Sequence, residues 1–391
     1  MKKLRQIAEA FGTPVLVMDL NVVENNYRQL VENINDCKVY YAVKANSHVE
    51  IIKLLGALGS HFDVASRGEI EKLLSLGIEP NRMSFGNTIK RIEDIRFAYE
   101  QGIRMFAVDA EMEIEKIAMV APGSNVYVRL STNGMEEDAD WPLTRKFGTS
   151  VNHAIELVKY AKINGLNPIG VSFHVGSQNY NPENWRTAIR EASIVFEEAK
   201  QFGITMTMIN TGGGMPVRYS RGIPEIKDIA KVINEAVDEY LGDNITVIVE
   251  PGRSMVGNAG VMVARVILRS KKGDENWVYV DAGVFHGLTE TIQNIRYRVT
   301  VDGKEDEEFE KFVLAGPTCD SMDVMYYDID LPKSTTLGDI IYFHATGAYT
   351  TEYGTNFNGI PSPKIIFENG ILSDEEFEAV EVRSNFSQSS K

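Results

Sequence analysis

Lys44 stands at the end of a run that reads as a buried strand, VYYAVKAN (39–46). A lysine is rarely fully buried unless its charge is paired, and a desolvated amine loses its proton more readily and becomes a nucleophile. Lys44 is therefore either a side chain whose amine reaches solvent or a reactive amine. Glu250 ends a second apolar run, TVIVE (246–250), where an ionised carboxylate needs a cation or hydrogen-bond donors opposite it. The simplest alternative is that these two residues pair with each other.

Other residues capable of chemistry follow similar runs. His174 stands in SFHVGSQ, a glycine triplet occupies TGGG (211–214), and Arg253 lies in EPGRS. Backbone N–H groups of a glycine loop can bind a phosphate, and the guanidinium of Arg253 could donate further hydrogen bonds to it. Such a loop can equally be a tight turn. His174 alone would more often be a hydrogen-bonded core residue. Cys37 suits inert packing, whereas the polar setting of Cys319 in GPTCDSMD suits an exposed thiol.

An amine, a phosphate cradle and a buried carboxylate together match the requirements of pyridoxal 5'-phosphate. A lysine forms a Schiff base with its aldehyde, and a glycine loop holds its phosphate. An acidic residue keeps the pyridine nitrogen protonated, so that the ring accepts electrons. The combination of Lys44, residues 211–214 and Glu250 therefore predicts this cofactor.

Short apolar runs alternate with amphipathic stretches over the first two thirds of the chain, which is typical of βα units around a parallel sheet. Amphipathic stretches with terminal glycines, such as those at 48–59, 67–77 and 152–165, predict the helices. Eight units over this length predict a (β/α)₈ barrel within an α/β fold, and active sites of such barrels lie at the carboxyl ends of the strands. The predicted strands are 39–44, 61–65, 82–86, 104–109, 125–130, 168–175, 206–211 and 246–250.

The pattern changes after Gly252, where strand-like runs are joined by turns and charged loops without long amphipathic helices. This part predicts a C-terminal β-sandwich or β-barrel domain. The segment before residue 25 has its own strand-like run, PVLVMDL, which could belong to either part. We expect the barrel to span 25–258 and the β domain to combine 1–24 with 259–391.

Composition restricts the function classes. The chain has 391 residues, of which 43% are apolar, and a formal charge of -15, which disfavours nucleic acid and anionic membranes as partners and favours a cationic substrate. Without an apolar run long enough to span a membrane, we expect a cytoplasmic protein. Two cysteines are too few for a disulfide framework and are not spaced as metal ligands, so no metal is expected.

Seven motifs occur in the order seen in the barrel-type pyridoxal-phosphate decarboxylases of basic amino acids, which act on ornithine, lysine, arginine or diaminopimelate and share their barrel with alanine racemase. The chain resembles this family from about residue 10 to 368, and its likeness to the bacterial ornithine decarboxylases includes WPLTRKFG (141–148). The motifs are YAVKAN, FDVASRGE, SFHVGSQ, GGGMP, EPGRSMV, GPTCDSMD and GAYTTEYGTNFNG.

The resemblance implies a role for each matching residue. Lys44 would bond the cofactor, His174 would stack on its ring and Glu250 would pair with its nitrogen. Three residues would orient Lys44 and a cofactor oxygen: Asp63, Glu69 and Arg129. The phosphate would be bound by Ser177, Gly213, Gly214, Arg253 and Tyr349.

The resemblance also implies a homodimer with shared active sites. Cys319 and Asp320 would enter the site of the other subunit, where Cys319 would protonate the carbanion and Asp320 would meet the distal amine of a small-molecule substrate. Tyr349 would contact the substrate too. The implied reaction is decarboxylation of a basic L-amino acid, foremost L-ornithine to putrescine in polyamine biosynthesis.

The identity of the substrate stays open at the sequence level. An aspartate after the motif cysteine argues against diaminopimelate, whose decarboxylases carry a glutamate there. The second aspartate of eukaryotic-type ornithine decarboxylases corresponds by counting to Asn294, with Glu290 and Gln293 as possible substitutes. L-Lysine, or both substrates, therefore remain alternatives, followed by arginine. A catalytically dead regulatory homologue and a racemase are weaker alternatives, because the reactive residues are present and GPTCD occupies the position where a racemase needs a tyrosine.

Overall fold

The computed structural model describes residues 2–132, 138–141, 146–293 and 295–372. These residues divide into two compact units. One comprises Glu24–Pro216 and Pro224–Ser254, and the other comprises the described residues of Met1–Val23, Val217–Ile223 and Met255–Lys391. Across the described ranges, no helix is both long enough and apolar enough to cross a membrane.

Strands and helices alternate along the first unit, and the elements of both units are numbered together in chain order. The strands are β1 (Val15–Met18), β2 (Cys37–Ala42), β3 (His61–Val64), β4 (Met83–Phe85), β5 (Met105–Val108), β6 (Asn125–Arg129), β7 (Ala139–Trp141), β8 (Asn167–Ser172), β9 (Ser177–Asn179), β10 (Met208–Asn210), β11 (Thr246–Val249), β12 (Gly260–Lys272), β13 (Glu275–Val280), β14 (Val299–Val301), β15 (Phe309–Ala315), β16 (Val324–Pro332), β17 (Ile340–His344) and β18 (Lys364–Phe367). The helices are α1 (Lys2–Phe11), α2 (Leu20–Asn33), α3 (Val49–Ala57), α4 (Arg67–Ser75), α5 (Ile92–Glu100), α6 (Glu111–Val120), α7 (Val151–Ile163), α8 (Glu183–Gln201), α9 (Ile226–Tyr240) and α10 (Arg253–Val256).

Eight strands of the first unit close into a parallel barrel in the order β10-β11-β2-β3-β4-β5-β6-β8. Each of the eight predicted runs supplies one strand, so the predicted (β/α)₈ barrel is confirmed. The strands end earlier than predicted at several sites. β2 stops at Ala42, and Lys44 lies in a 3-10 turn, Val43–Ala45, that follows it.

The barrel interior explains which residues reach its mouth. Tyr40, Ala107, Tyr127, Met208 and Ile248 pack against one another in a buried layer. Side chains alternate between the two faces of a strand, so the residue two positions further on points into the barrel again, one layer closer to the carboxyl end. That rule turns Asn210 and Glu250 toward the barrel mouth.

Two helices of the first unit begin at a serine whose side chain caps the helix. The side chain of Ser66 accepts a hydrogen bond from the Glu69 amide at the start of α4, and that of Ser150 does so from the His153 amide at the start of α7. The amphipathic pattern then buries one face of each helix, as Ile70 and Leu73 show in α4. The predicted helices at 48–59, 67–77 and 152–165 correspond to α3, α4 and α7.

The strands of the second unit belong to one mixed eight-stranded sheet with the order β14-β17-β12-β13-β15-β16. β1 adds to this sheet, because it pairs antiparallel with β12 and parallel with β18. The N-terminal strand therefore joins the sheet of the second unit. Its side chains extend a buried apolar cluster that includes Val15, Val17, Val261, Val263 and Tyr342.

Candidate active site

Lys44 and Asp63 lie together at the mouth of the barrel. Lys44 Nζ is 3.9 Å from Asp63 Oδ2, and the lysine side chain is 54% exposed, so its amine reaches solvent. Asp63 is buried. Burial and the carboxylate of Glu250 raise the pKa of Asp63 well above its usual range, against the opposing charge of Lys44. Asp63 thus neighbours an accessible amine.

Glu250 follows β11 and is held by neighbours inside the barrel. Its Oε1 accepts a hydrogen bond of 2.5 Å from Asn210 Nδ2 and lies 3.5 Å from Tyr127 Oη. Tyr127 Oη also shares a hydrogen bond of 2.9 Å with Ser84 Oγ. These contacts fix the direction of the carboxylate, and Glu250 does not depend on Lys44 for a partner.

His174 follows β8 and is neutral. Burial, Arg129 and Lys44 together lower the pKa of His174 well below its ordinary value. Its Nδ1 accepts a hydrogen bond of 3.1 Å from the Gly176 amide, which places the remaining ring proton on Nε2. A neutral, flat imidazole therefore faces the barrel mouth.

The glycine triplet after β10 packs so tightly that side chains cannot replace it. A Cβ on Gly212 would lie 2.2 Å from the Phe173 carbonyl oxygen, one on Gly213 would lie 2.7 Å from the Glu250 carbonyl oxygen, and one on Gly214 would lie 2.5 Å from the Gly176 carbonyl oxygen. Gly212 and Gly214 also have φ angles of +66° and +98°, which disfavour other residues. The loop is thus a closely packed stretch of backbone between His174 and Glu250.

Ser177 and Arg253 join the same rim. Arg253 Nε donates a hydrogen bond of 3.2 Å to Ser177 Oγ, although Arg253 is only 5% exposed. Ser177 begins β9, and the amide of Asn179 at the end of that strand donates to the Gly214 carbonyl oxygen at 2.9 Å. A guanidinium, a hydroxyl and the glycine loop therefore converge, which is a suitable arrangement for an anion.

Glu69 and Arg129 complete the set of predicted residues in the barrel unit. Glu69 Oε2 accepts a hydrogen bond of 2.7 Å from the Ala65 amide, which places its carboxylate at the turn between β3 and α4. The charges of both residues act on Asp63, since Glu69 raises and Arg129 lowers its pKa. Arg129 also lies 5.1 Å from the centroid of the Phe147 ring.

Three predicted residues belong to the second unit. Cys319 is exposed and Asp320 is partly exposed, both on the loop between β15 and β16. Tyr349 has a φ of +56°, an uncommon conformation for a residue with a side chain and one that often marks functional sites. Its ring stacks on Tyr353 at 5.8 Å. Asn294 lies outside the described residues.

Cys37 behaves as an inert thiol. Burial raises its pKa to about 12, so the reactive thiolate is scarce near neutral pH. The prediction that Cys37 is a packing residue is therefore consistent with its surroundings in the barrel.

Sequence reasoning missed Asn210, Tyr127 and Gly86. Asn210 is the last residue of β10 and lies two residues before Gly212. This position could have identified it from the sequence, because strand ends carry the functional groups of a barrel. Gly86 follows β4 and leaves space for Asp63, since a Cβ there would lie 1.9 Å from Asp63 Oδ1. No local pattern signals that contact, because it joins two separate strands.

The barrel residues fit pyridoxal phosphate. The glycine cradle has no room for side chains, and the amine of Lys44 is accessible. Asp63 Oδ1 is buried without a hydrogen-bond partner among the described residues, which is the expected state of an acceptor that a bound group would satisfy. His174 offers a neutral ring for stacking, and Glu250 offers a fixed carboxylate for a ring nitrogen.

Comparison with known proteins identifies the family. Residues 20–257 match the family model described as the pyridoxal-binding domain of pyridoxal-dependent decarboxylases. The chain belongs to this family. It is a pyridoxal-phosphate-dependent carboxy-lyase acting on basic amino acids, as the motifs predicted.

Similar proteins span several substrates. The lysine/ornithine decarboxylase of Selenomonas ruminantium is 35% identical over 371 residues, which cover 94% of this chain and 93% of that protein. The lysine/ornithine decarboxylase of Vibrio vulnificus, solved with cadaverine, has a TM-score of 0.87 at 32% identity and covers 94% of this chain and 98% of that one. The arginine decarboxylase of Paramecium bursaria Chlorella virus has a TM-score of 0.87 at 28% identity, covering 94% and 100%.

Proposed function

We propose that this decarboxylase converts L-ornithine to putrescine and carbon dioxide, a step of polyamine biosynthesis. The observation that carries the proposal is the partly exposed carboxylate of Asp320 beside the exposed thiol of Cys319. A single carboxylate suits a substrate whose far end is a simple cation. The net charge of -15 further favours a cationic substrate at long range.

The residues of the barrel mouth hold the cofactor in this proposal. Lys44 would bond its aldehyde carbon. Asp63, Glu69 and Arg129 would orient the lysine and a cofactor oxygen. When bound, pyridoxal phosphate supplies a conjugated ring that accepts the electron pair left by the departing carboxylate. The residues that bind the phosphate are Ser177, Gly213, Gly214, Arg253 and Tyr349.

Glu250 and His174 have separate roles at the cofactor ring. Glu250 holds a proton at the ring nitrogen, and Asn210 keeps that carboxylate in place. His174 packs on the ring without adding positive charge, because its pKa is lowered well below the ordinary value. A charged imidazole would compete with the ring nitrogen for Glu250.

Cys319 and Asp320 act on the substrate. Asp320 pairs with the distal ammonium, Tyr349 contributes a further contact, and Asn294 lies on the segment that adjusts the accepted chain length. Cys319 donates its proton to the α-carbon after carbon dioxide leaves. We place both loop residues in the site of a second copy, so that the enzyme works as a cytoplasmic homodimer with shared sites.

The substrate is tested by measuring carbon dioxide release from L-ornithine, L-lysine, L-arginine and meso-diaminopimelate, with added pyridoxal phosphate. Dominance of L-ornithine, with Lys44→Ala silent, supports the proposal. L-Lysine is the second candidate, because two of the similar proteins are named for both substrates. One methylene changes specificity by only about 1–3 kcal/mol in an apolar pocket, so kcat/KM must be compared for the two. A lower value for L-ornithine than for L-lysine contradicts the first choice.

The shared site is tested by mixing two inactive variants. Lys44→Ala lacks the cofactor bond, and Cys319→Ala lacks the proton donor. Random pairing in an exchanging dimer makes half of the dimers mixed, each with one intact site of two, so activity returns to about a quarter of the wild-type value. No recovery after verified subunit exchange contradicts a site built from two copies.

A further inference from the structure

Asp323 is the last residue of the loop that carries Cys319 and Asp320, directly before β16. It is almost completely buried, at 2% exposure. Its Oδ1 accepts a hydrogen bond of 2.8 Å from the Val284 amide. Its Oδ2 accepts from the Thr318 amide at 2.9 Å and from Thr318 Oγ1 at 2.7 Å. One carboxylate thus receives three donors, two of them from the residue next to Cys319.

Two glycines beside Asp323 leave the space that its carboxylate occupies. A Cβ on Gly283 would lie 2.2 Å from Asp323 Oδ1, and one on Gly316 would lie 2.3 Å from the same atom. The main chain of Asp323 also ties the loop together, because its carbonyl oxygen accepts from the Gly316 amide at 2.9 Å and its amide donates to the Asp320 carbonyl oxygen at 3.1 Å. Asp323 therefore fixes residues 316, 318 and 320 at once.

The other acidic residue of the loop is held less extensively. Asp320 is partly exposed, and its Oδ1 accepts a hydrogen bond of 2.8 Å from the Met322 amide. The Cys319 amide donates to Asn358 Oδ1 at 3.0 Å, while the residue itself is exposed. The loop thus combines an anchored backbone with side chains that are accessible at its tip.

The geometry points to Asp323 as a positioning residue that fixes the Cys319 thiol for proton delivery, an inference that rests on the proposed function. In that step the bond from the α-carbon to the carboxylate breaks, carbon dioxide leaves, and the electron pair takes the proton of the thiol. A new C–H bond forms, the S–H bond breaks, and the thiolate recovers its proton from water. A displacement of about 1 Å in a reacting group can cost on the order of 10²-fold in rate.

The decisive variant is Asp323→Asn, which keeps the size of the side chain and replaces one acceptor oxygen with a donor group. We expect kcat for the best substrate to fall on the order of 10²-fold with KM changed by less than about threefold. The solvent deuterium isotope effect on kcat should rise, because proton transfer then limits the rate. A loss of folded enzyme would lower kcat without raising this isotope effect. Thr318→Val, which removes only the hydroxyl donor, should change both quantities less and in the same direction.

Amide hydrogen exchange provides a readout that needs no activity. Asp323→Asn should accelerate exchange in peptides covering 283–284 and 316–323. The control is Asp328→Asn, since the Asp328 side chain is 57% exposed and pairs with Lys311 at 2.8 Å. It should leave both exchange and the isotope effect unchanged.

The outcomes separate the two proposals. Faster exchange with an unchanged kcat and isotope effect overturns the positioning role, and so does unchanged exchange in Asp323→Asn. If the wild-type enzyme decarboxylates none of the tested amino acids, the proposed function fails. Amide hydrogen exchange then decides by itself whether Asp323 anchors the loop. If Asp323→Asn does not fold, Thr318→Val decides, and an unchanged isotope effect in that variant overturns the role.

Discussion

Asn210 Nδ2 donates a hydrogen bond of 2.5 Å to Glu250 Oε1 across two neighbouring strands of the barrel. Asn210 Oδ1 accepts from the Gly212 amide at 2.9 Å. The Glu250 amide in turn donates to the Gly212 carbonyl oxygen at 2.8 Å. One amide side chain therefore links the carboxylate expected to face the cofactor ring with the loop expected to bind its phosphate.

Removal of the Asn210 side chain should weaken both the action of Glu250 on the cofactor ring and the binding of the cofactor phosphate. Asn210→Ala should lower kcat about 10- to 100-fold, because Glu250 loses a charge-assisted hydrogen bond worth about 1.5–3 kcal/mol. Asn210→Asp should be worse, since it places a second negative charge against Glu250. Carbon dioxide release gives kcat, and absorbance titration gives the cofactor affinity. Wild-type values of both in Asn210→Ala would contradict the link.

Glu250 itself should matter mainly for kcat. Glu250→Gln keeps the shape of the side chain and removes its charge, so the electron sink weakens and kcat should fall about 10²–10³-fold. The cofactor should still bind, because Lys44 and the phosphate cradle remain. Single-turnover carbon dioxide release with saturating cofactor measures the chemical step. The control is Glu239→Gln, an exposed carboxylate paired with Arg186 at 3.3 Å, and an unchanged rate in Glu250→Gln would refute the assignment.

The glycine cradle should tolerate no methyl group. A Cβ on Gly213 would lie 2.7 Å from the Glu250 carbonyl oxygen and 3.3 Å from His174 Nε2. Overpacking of this kind costs about 1–3 kcal/mol, so Gly213→Ala should weaken cofactor binding about 10- to 100-fold in an absorbance titration. Gly222→Ala is the matched control, because nothing lies within 4 Å of its Cβ position. Equal cofactor affinity of the two variants would exclude a tight cradle.

Acid should destabilise the protein partly through His344. Burial and the charge of Arg298 lower the pKa of His344 to about 3, whereas an unfolded histidine titrates near pH 6.5. Between these values the unfolded state binds more protons, so the free energy of unfolding falls as the pH drops below about 6.5, by at most about 1.4 kcal/mol per pH unit. Urea unfolding from pH 7 to 5 measures this slope.

His344→Gln should reduce that slope, while keeping a side chain that can bond Thr300 Oγ1, now 2.8 Å from His344 Nε2. The slope should not vanish, because His174 also has a lowered pKa. Identical slopes for the wild type and His344→Gln would show that His344 does not contribute to acid sensitivity.

The sequence predicted the barrel because hydrophobic periodicity reports burial directly. The interior of a run such as TVIVE is apolar because both faces of a barrel strand are covered. The amphipathic stretches between such runs cover the outside. The ends of the elements were less accurate. The strand predicted to end at Lys44 ends at Ala42, because Val43–Ala45 forms a 3-10 turn. The sequence pattern does not distinguish such a turn from a strand end.

The reactive groups are predictable without a structure, because Lys44, Glu250, Cys319 and the glycine triplet are recognisable by residue type and order along the chain. The residues that hold these groups in place become visible in the folded chain. Asn210 beside Glu250, Gly86 beside Asp63 and Val284 beside Asp323 are contacts between segments distant in sequence. Such contacts depend on how strands are placed in register and how closely backbones approach, which no local pattern of residues encodes.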